Sequence, residues 1–286
     1  MVAAMVLCAG LGTRLRPLTD ELAKPMVPVG DAPALAHVAQ RVRLAAPRVV
    51  VNVHHRPGDV RAWADRESIA VSVEQELLGT AGGVARAAAM LGDGDVLVWN
   101  GDILSDLDPR ALVAAHAARA TEATLAVRAR AAGEGNVGFM YDGRVARLRS
   151  ESFGPETTGG DFLGIHVVGA RLRASLPATG CLVGDVYLPA LRRGARLDAW
   201  VTEASFTDIG TVAQYVEANR AWLRSRDLPS WSSPTAIVRA DIDGSIVGAG
   251  ARIEATCLRS IVWPGAIVSA PVNDAIVTTR AVVSGR

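Results

Sequence analysis

Three cysteines are all that this 286-residue chain contains. Cys8, Cys181 and Cys257 are odd in number and far apart, which gives no disulfide framework and no metal-ligand spacing. That usage suits reduced thiols, and a cytoplasmic location is expected. No apolar run reaches the roughly 18 residues that a membrane span needs. The net charge of +1 provides no overall field to attract nucleic acid or an acidic membrane, so neither partner is expected. The apolar N-terminus lacks a basic flank and runs directly into a glycine pair, so it reads as a first strand and not a signal peptide. A Walker A loop is absent. A dinucleotide fingerprint is disfavoured too, because Leu15 stands where a third small residue belongs and Pro17 opposes an immediate helix.

Half of the residues are apolar, enough for one large domain or two smaller ones. Short β-branched runs at Val2–Cys8, Val49–His54, Ile69–Glu74, Asp95–Trp99 and Ala123–Val127 alternate with helix-forming stretches. This predicts an α/β fold with a mixed, mainly parallel Rossmann-like sheet and helices on both faces. Ligands in such sheets bind beyond the carboxyl ends of the strands. Asp108-Pro109 predicts a helix cap, and Asp142-Gly143 a hairpin turn. Residues 225–234 read as a linker. Beyond them helix formers are scarce, and Ile, Val, Ala and Gly dominate. The expected domains are 1–225, catalytic, and 226–286, a linker with a short tail.

The chemistry concentrates in Ala9–Pro28, AGLGTRLRPLTDELAKPMVP. Gly10 and Gly12 permit a sharp turn and close approach of the backbone to a ligand. Thr13 supplies a hydroxyl, Arg14 a guanidinium fork and Lys24 a second cation. Exposed N–H groups with two spaced cations suit a polyphosphate. Downstream, Glu74–Gly83 reads EQELLGTAGG, with Gly79, Thr80 and Gly83 at a helix start. Asp102 follows a strand in Asn-Gly-Asp, a place from which a carboxylate can hold Mg²⁺. Ser205–Thr211 reads SFTDIGT.

Together these stretches resemble the sugar-1-phosphate nucleotidyltransferases, whose signature is Gly-x-Gly-Thr-Arg-Leu-x-Pro-Leu-Thr followed by Lys-Pro. The resemblance covers nearly the whole chain. It implies in-line attack of a sugar phosphate on the α-phosphorus of an NTP, with release of pyrophosphate. It assigns catalysis to Arg14, Lys24 and Asp102, and Mg²⁺ to Asp102 and Asp208. Nucleotide contacts fall to Ala9, Gly10, Gly12, Thr13, Arg14, Glu74, Gly79, Thr80 and Gly83. Sugar phosphate falls to Gly138, Glu151 and Gly164. The Glu-Lys-Pro motif of several branches is incomplete: Glu151 is followed by neither Lys nor Pro. Arg147, Arg149 and Arg196 are the cations available in its place.

Leu-Gly-Thr-Ala-Gly is most similar to the mannose-1-phosphate guanylyltransferase branch, which implies GTP. Ala9-Gly10 resembles uridylyltransferases, which implies UTP with a hexose or aminosugar 1-phosphate. A non-catalytic, nucleotide-sugar-binding regulatory paralogue is the alternative from another class, opposed by the intact Arg14, Lys24, Asp102 and Asp208. The tail resembles a short hexapeptide left-handed β-helix, expected to pack on the catalytic domain or to join subunits of a homo-oligomer.

Overall fold

The computed structural model describes residues 2–285. In chain order the main elements are β1 (Ala3–Leu7), α1 (Ala34–Val42), β2 (Arg48–Val53), α2 (Pro57–Arg66), β3 (Ala70–Val73), α3 (Gly79–Arg86), β4 (Val96–Asn100) and α4 (Pro109–Ala117). They continue with β5 (Ala123–Arg130), β6 (Val137–Phe139), β7 (Val145–Leu148), β8 (Glu151–Ser152), β9 (Thr158–Val168), α5 (Leu188–Arg192), β10 (Leu197–Val201) and α6 (Val212–Arg224). The chain divides into two compact units, Met1–Gly10 with Val38–Phe206 and Leu11–His37 with Thr207–Arg286.

The first unit is built on a ten-stranded sheet in the order β8-β7-β6-β9-β4-β1-β2-β3, with β5 beside β9 and β10 beside β5. The pairs β1–β2, β1–β4, β2–β3 and β5–β10 are parallel. Strand β9 is antiparallel to β4, β5 and β6. The fold is therefore the mixed, mainly parallel α/β sheet that the alternation predicts. In β1, β2 and β4 nearly every side chain is buried, as a sheet covered on both faces requires. Strand β9 pairs with the end of β4 through Ile165 and Trp99, then runs on to pair β6 through Gly160 and Val137. Its extra length carries the hairpin β6–β7 past the carboxyl end of β4.

Local signals account for the boundaries. Asp108 Oδ1 accepts the Arg110 N–H at 3.0 Å, with Pro109 in the first turn, which is the expected cap of α4. Arg144 N donates to Asp142 Oδ1 at 3.0 Å in the β6–β7 hairpin. One expectation shifts: the Gly-Thr-Ala-Gly-Gly run lies inside α3 rather than ahead of it.

His166, read from sequence as a packed strand residue, is 3% exposed in β9. Its Nδ1 meets the Tyr187 hydroxyl at 3.1 Å, and burial pushes its pKa down from 6.5 to about 3. The unfolded chain therefore binds a proton that the fold refuses. Stability is expected to be complete above pH 6.5 and to fall by about 1.4 kcal/mol per pH unit below it. Urea melts between pH 7 and 4 measure this slope, and His166→Gln should flatten it. An unchanged slope in the variant would remove His166 as its cause.

In the second unit, α6 is the hub. Thr211 caps it, accepting the Gln214 N–H at 3.3 Å. Tyr215 is fully buried; its hydroxyl donates to the Pro28 carbonyl at 2.6 Å and accepts from Trp263 Nε1 at 2.9 Å. Gly30, at φ 60°, lies against Trp222, whose ring fills the place a Cβ would take. Trp222 in turn packs edge-on to Trp231, with ring centroids 5.6 Å apart. The expected linker therefore already contains the first tail strand, Trp231–Ser232.

The tail is a coil of short parallel strands. Trp231 pairs with Ile246, Ile246 with Ile261 and Ile261 with Ile276. The step is 15 residues, shorter than three six-residue sides would need. Val247, Ile253, Cys257, Val262, Val268 and Val277 fill its interior. Through Trp263 and Trp231 the coil packs on Tyr215 and Trp222 of α6, while Ile237, Val238, Ile267 and Val282 stay exposed.

Candidate active site

The first unit gathers its candidate residues at the carboxyl ends of β1, β2, β3 and β4. Gly101 N donates to the Leu7 carbonyl at 2.9 Å, and a Cβ on Gly101 would strike Cys8 Sγ. This close stitch of β4 to β1 holds Asp102 beside the start of the glycine loop. Burial and the Asp102 charge together push the Cys8 thiol up, so Cys8 is a packing residue and not a nucleophile. Ala9 is buried, and Gly10 has open space where a side chain would stand.

The glycines of the α3 segment are demanded by the chain itself. A Cβ on Gly79 or Gly82 would collide with the carbonyls of Gly180 and Ala178, and one on Gly83 with Asn52 Nδ2 and Glu74 Oε1. Gly79 also sits at φ 74°. Glu74 is 2% exposed. Its Oε1 accepts Asn52 Nδ2 at 2.6 Å, and its Oε2 accepts the Leu78 N–H at 3.2 Å. The positive end of α3 is thus met by the chain's own carboxylate. Thr80 Oγ1 accepts the Leu182 N–H at 2.7 Å.

The second unit holds the candidate cations Arg14 and Lys24. Gly12, at φ 63°, turns the loop so tightly that a Cβ would meet Thr19 and Lys24. Thr19 Oγ1 donates to the Gly12 carbonyl at 2.9 Å. The turn places Thr13 and Arg14 at the surface, with Lys24 beside the glycine. Lys24 is the one lysine of the sequence, against 29 arginines, a signal that a composition count would have exposed.

Asp208 comes within reach of Arg14 across Gly210: a Cβ there would stand 3.0 Å from both Arg14 Nη2 and Asp208 Oδ1. Only glycine leaves the space between them open. Asp208 Oδ1 is buried without a hydrogen-bond partner among the described residues. Leaving a buried polar atom unpaired costs about 1–3 kcal/mol, and more for a charged group. Thr211 caps α6, so Asp208 has no capping duty to explain its place. A hard cation would satisfy that oxygen. Mg²⁺ is commonly held by one or two carboxylates plus water and substrate phosphates. Among the described residues no group of three or more His, Cys, Asp or Glu converges.

The nucleotidyl transferase family profile matches residues 3–149, just over half of the chain. The chain belongs to the nucleotidyl transferase family. An N-acetylmuramate alpha-1-phosphate uridylyltransferase of Neisseria meningitidis is 32% identical over 75% of this chain and 96% of its own length. A mannose-1-phosphate guanylyltransferase of Mycobacterium tuberculosis is 35% identical over 43% of this chain, which spans only 36% of that relative. Among solved structures, HddC from Yersinia pseudotuberculosis complexed with GMP-PN shares the fold, with a TM-score of 0.64 at 21% identity, covering 78% of this chain and all of that one.

On this nucleotidyl transferase chain, the three arginines near the incomplete Glu-Lys-Pro motif have different surroundings. Arg147 is spent: its guanidinium binds Glu156 at 2.7 Å and the carbonyls of Glu134 and Gly135. Arg196 is tied to Asp198 at 3.0 Å and to Asp142 at 3.6 Å. Arg149 is exposed, with no carboxylate in ion-pair reach among the described residues. Its Nη2 lies 3.6 Å from Cys181 Sγ, beside Thr80. Arg149 also sits at φ 54°, held by its N–H on the Asn136 carbonyl at 2.7 Å. Arg149 is one of six described non-glycine residues in the left-handed region, a strained conformation that clusters at functional sites.

The other sugar-side residues are structurally engaged. Gly164, at φ 72°, admits the Asn100 side chain. Gly138 admits the Glu156 carboxylate, and Glu151 pairs with Arg192. Sequence reading missed Asn52, Glu156, Cys181 and Gly210 as parts of this geometry. Gly210 alone had a local signal, being inside the Asp-Ile-Gly-Thr run. Among the described residues no helix is long and apolar enough to cross a membrane.

Proposed function

We propose that this protein transfers a nucleotidyl group from an NTP to a sugar 1-phosphate, giving a nucleotide sugar and pyrophosphate. The observation that carries the reading is Asp208: a carboxylate with one oxygen orphaned among the described residues, near Arg14, inside a family signature. The attacking phosphate oxygen is already anionic, so no strong general base is needed. The barrier is the meeting of two anions, which positioned cations lower. Arg14 holds the departing pyrophosphate with a two-pronged grip. Lys24 places a compact positive charge at the reacting phosphates. Bound at Asp102 and Asp208, Mg²⁺ would neutralise the α-phosphate. Ala9, Gly10, Gly12 and Thr13 line the nucleotide with backbone N–H groups.

Arg149 is the cation assigned to the sugar phosphate, taking the place of the lysine that the sequence lacks. Arg149→Ala is expected to raise the KM for sugar 1-phosphate about 10-fold or more with little change in the NTP KM, as loss of a charge-assisted contact would. Steady-state kinetics with each substrate varied in turn measure the split. Equal KM values in variant and wild type would return the role to another group.

The Leu-Gly-Thr-Ala-Gly run and the guanylyltransferase relatives favour GTP with mannose 1-phosphate. The uridylyltransferase of N. meningitidis, matched over 96% of its length, favours a second reading, UTP with a hexose or aminosugar 1-phosphate. Pyrophosphate release with Mg²⁺ across five NTPs and a set of sugar 1-phosphates decides between them. Silence across that grid from folded protein that binds nucleotide would favour the regulatory paralogue. The proposal includes a cytoplasmic setting, a catalytic domain over 1–225 with a linker and tail over 226–286, and self-association through that tail.

A further inference from the structure

A buried polar chain crosses the carboxyl ends of β1, β2 and β3. It starts at the Cys8 N–H, which donates to Asn52 Oδ1 at 2.7 Å. Asn52 Nδ2 then donates to Glu74 Oε1 at 2.6 Å, and Glu74 Oε2 accepts the Leu78 N–H at 3.2 Å. Asn52 and Glu74 are each 2% exposed. No other side chain is needed to join the entry of the glycine loop to the entry of α3, and Gly83 lacks the Cβ that would push the two partners apart.

The placement is expensive unless it serves a purpose. No cation pairs with the Glu74 carboxylate among the described residues, and a buried carboxylate held only by hydrogen bonds carries a large desolvation cost. An apolar pair of the same shape would pack these strand ends at lower cost. What the polar pair adds is direction. Each hydrogen bond fixes one backbone N–H, at Cys8 and at Leu78, and these two residues begin the two segments that the functional reading assigns to the nucleotide.

We infer that Asn52 and Glu74 are a positioning couple that sets the spacing between the glycine loop and the α3 segment, and thereby the affinity for the NTP. Neither residue touches substrate in this assignment; both act through the backbone they hold. The inference rests on the proposed function, since it takes both segments as nucleotide-binding. A displacement of about 1 Å in a binding group is enough to cost one to two orders of magnitude.

The direction of the central hydrogen bond supplies the test. In Asn52→Asp the donor is lost and a carboxylate faces Glu74. In Glu74→Gln an N–H₂ group must face either Asn52 Nδ2 or the Leu78 N–H. The double variant N52D/E74Q restores the bond in reverse: the new amide at position 74 donates to the new carboxylate at position 52, and the amide oxygen is free to accept the Leu78 N–H. Each single variant is expected to raise the NTP KM about 10-fold while leaving the sugar 1-phosphate KM unchanged. The double variant is expected to return the NTP KM to within about 3-fold of wild type. Calorimetric Kd values for Mg²⁺–GTP and Mg²⁺–UTP should follow the same order. Thermal melts identify any variant that does not fold, and Glu74→Gln, which keeps the side-chain shape, stands alone if N52D fails. Equal rises in both KM values, a single variant that binds like wild type, or a double variant no better than the singles would overturn the inference. Wild-type protein that binds neither nucleotide would overturn the functional reading first, and this inference with it.

Discussion

Replacing Asp208 with asparagine is expected to lower turnover by about 100-fold or more, the usual loss when one group stabilising transition-state charge is removed. The reason is local. Asp208 Oδ1 is buried without a partner among the described residues, so the carboxylate is kept at a cost that a bound cation would offset. Asparagine matches the shape and removes the charge. The fold should therefore stand, with stability equal or higher, because the oxygen buried without a partner among the described residues no longer carries charge. The pairing of lower activity with equal or higher Tm is the distinguishing result. Raised Mg²⁺ should rescue part of the loss if affinity for the ion is what has fallen. Turnover within about 3-fold of wild type would take Asp208 out of the metal site. Gly210→Ala offers a milder version, since its methyl group would enter the gap between Asp208 and Arg14.

Lys24 carries the second large effect. Because the sequence has no other lysine, an acylating reagent can reach one side-chain amine and, at most, the N-terminal amine. Acylation of Lys24 is expected to abolish turnover, and bound Mg²⁺–NTP to slow the modification, with peptide mass spectrometry reporting the site. Lys24→Ala is expected to cost about 100-fold in turnover. Lys24→Arg should recover only part, because a planar fork spreads the charge that an ammonium concentrates. Full activity after complete acylation of Lys24 would end its proposed role. Every other permanently cationic side chain in the sequence is an arginine. The lone exception stands where Gly12 folds the signature loop tightly enough to crowd it.

Much of this was legible because the signals are short-range. The alternation of apolar runs with helix formers predicted the sheet, since period and burial are read within a dozen residues. Asp108-Pro109 announced a helix start, and Asp142-Gly143 a turn, by chemistry confined to neighbouring peptide groups. Gly12 was identifiable as a special backbone position, and its left-handed φ bears that out. The tail was recognisable as strand-forming, but its 15-residue step was not, because the repeat is carried by which residues stack and not by a strict spacing of one residue type.

Other features came from contacts between distant segments. Gly79, Gly82 and Gly83 read as room for a ligand, and the chain's own carbonyls and side chains already occupy that room. Glu74 read as a ligand contact and lies buried against Asn52. Arg147, Arg149 and Arg196 were equal by sequence and differ only in the carboxylates that surround them.

By itself the sequence determined the family, the sheet, the glycine turn and the identities of Arg14, Lys24, Asp102 and Asp208, because each is written in one continuous stretch. Only the tertiary structure decided which of the three candidate arginines lacks a carboxylate among the described residues, which aspartate oxygen lacks a partner among them, and which buried pair ties two loops together. Those properties depend on neighbours tens of residues away, brought within hydrogen-bond reach by strand order, and no local pattern records them.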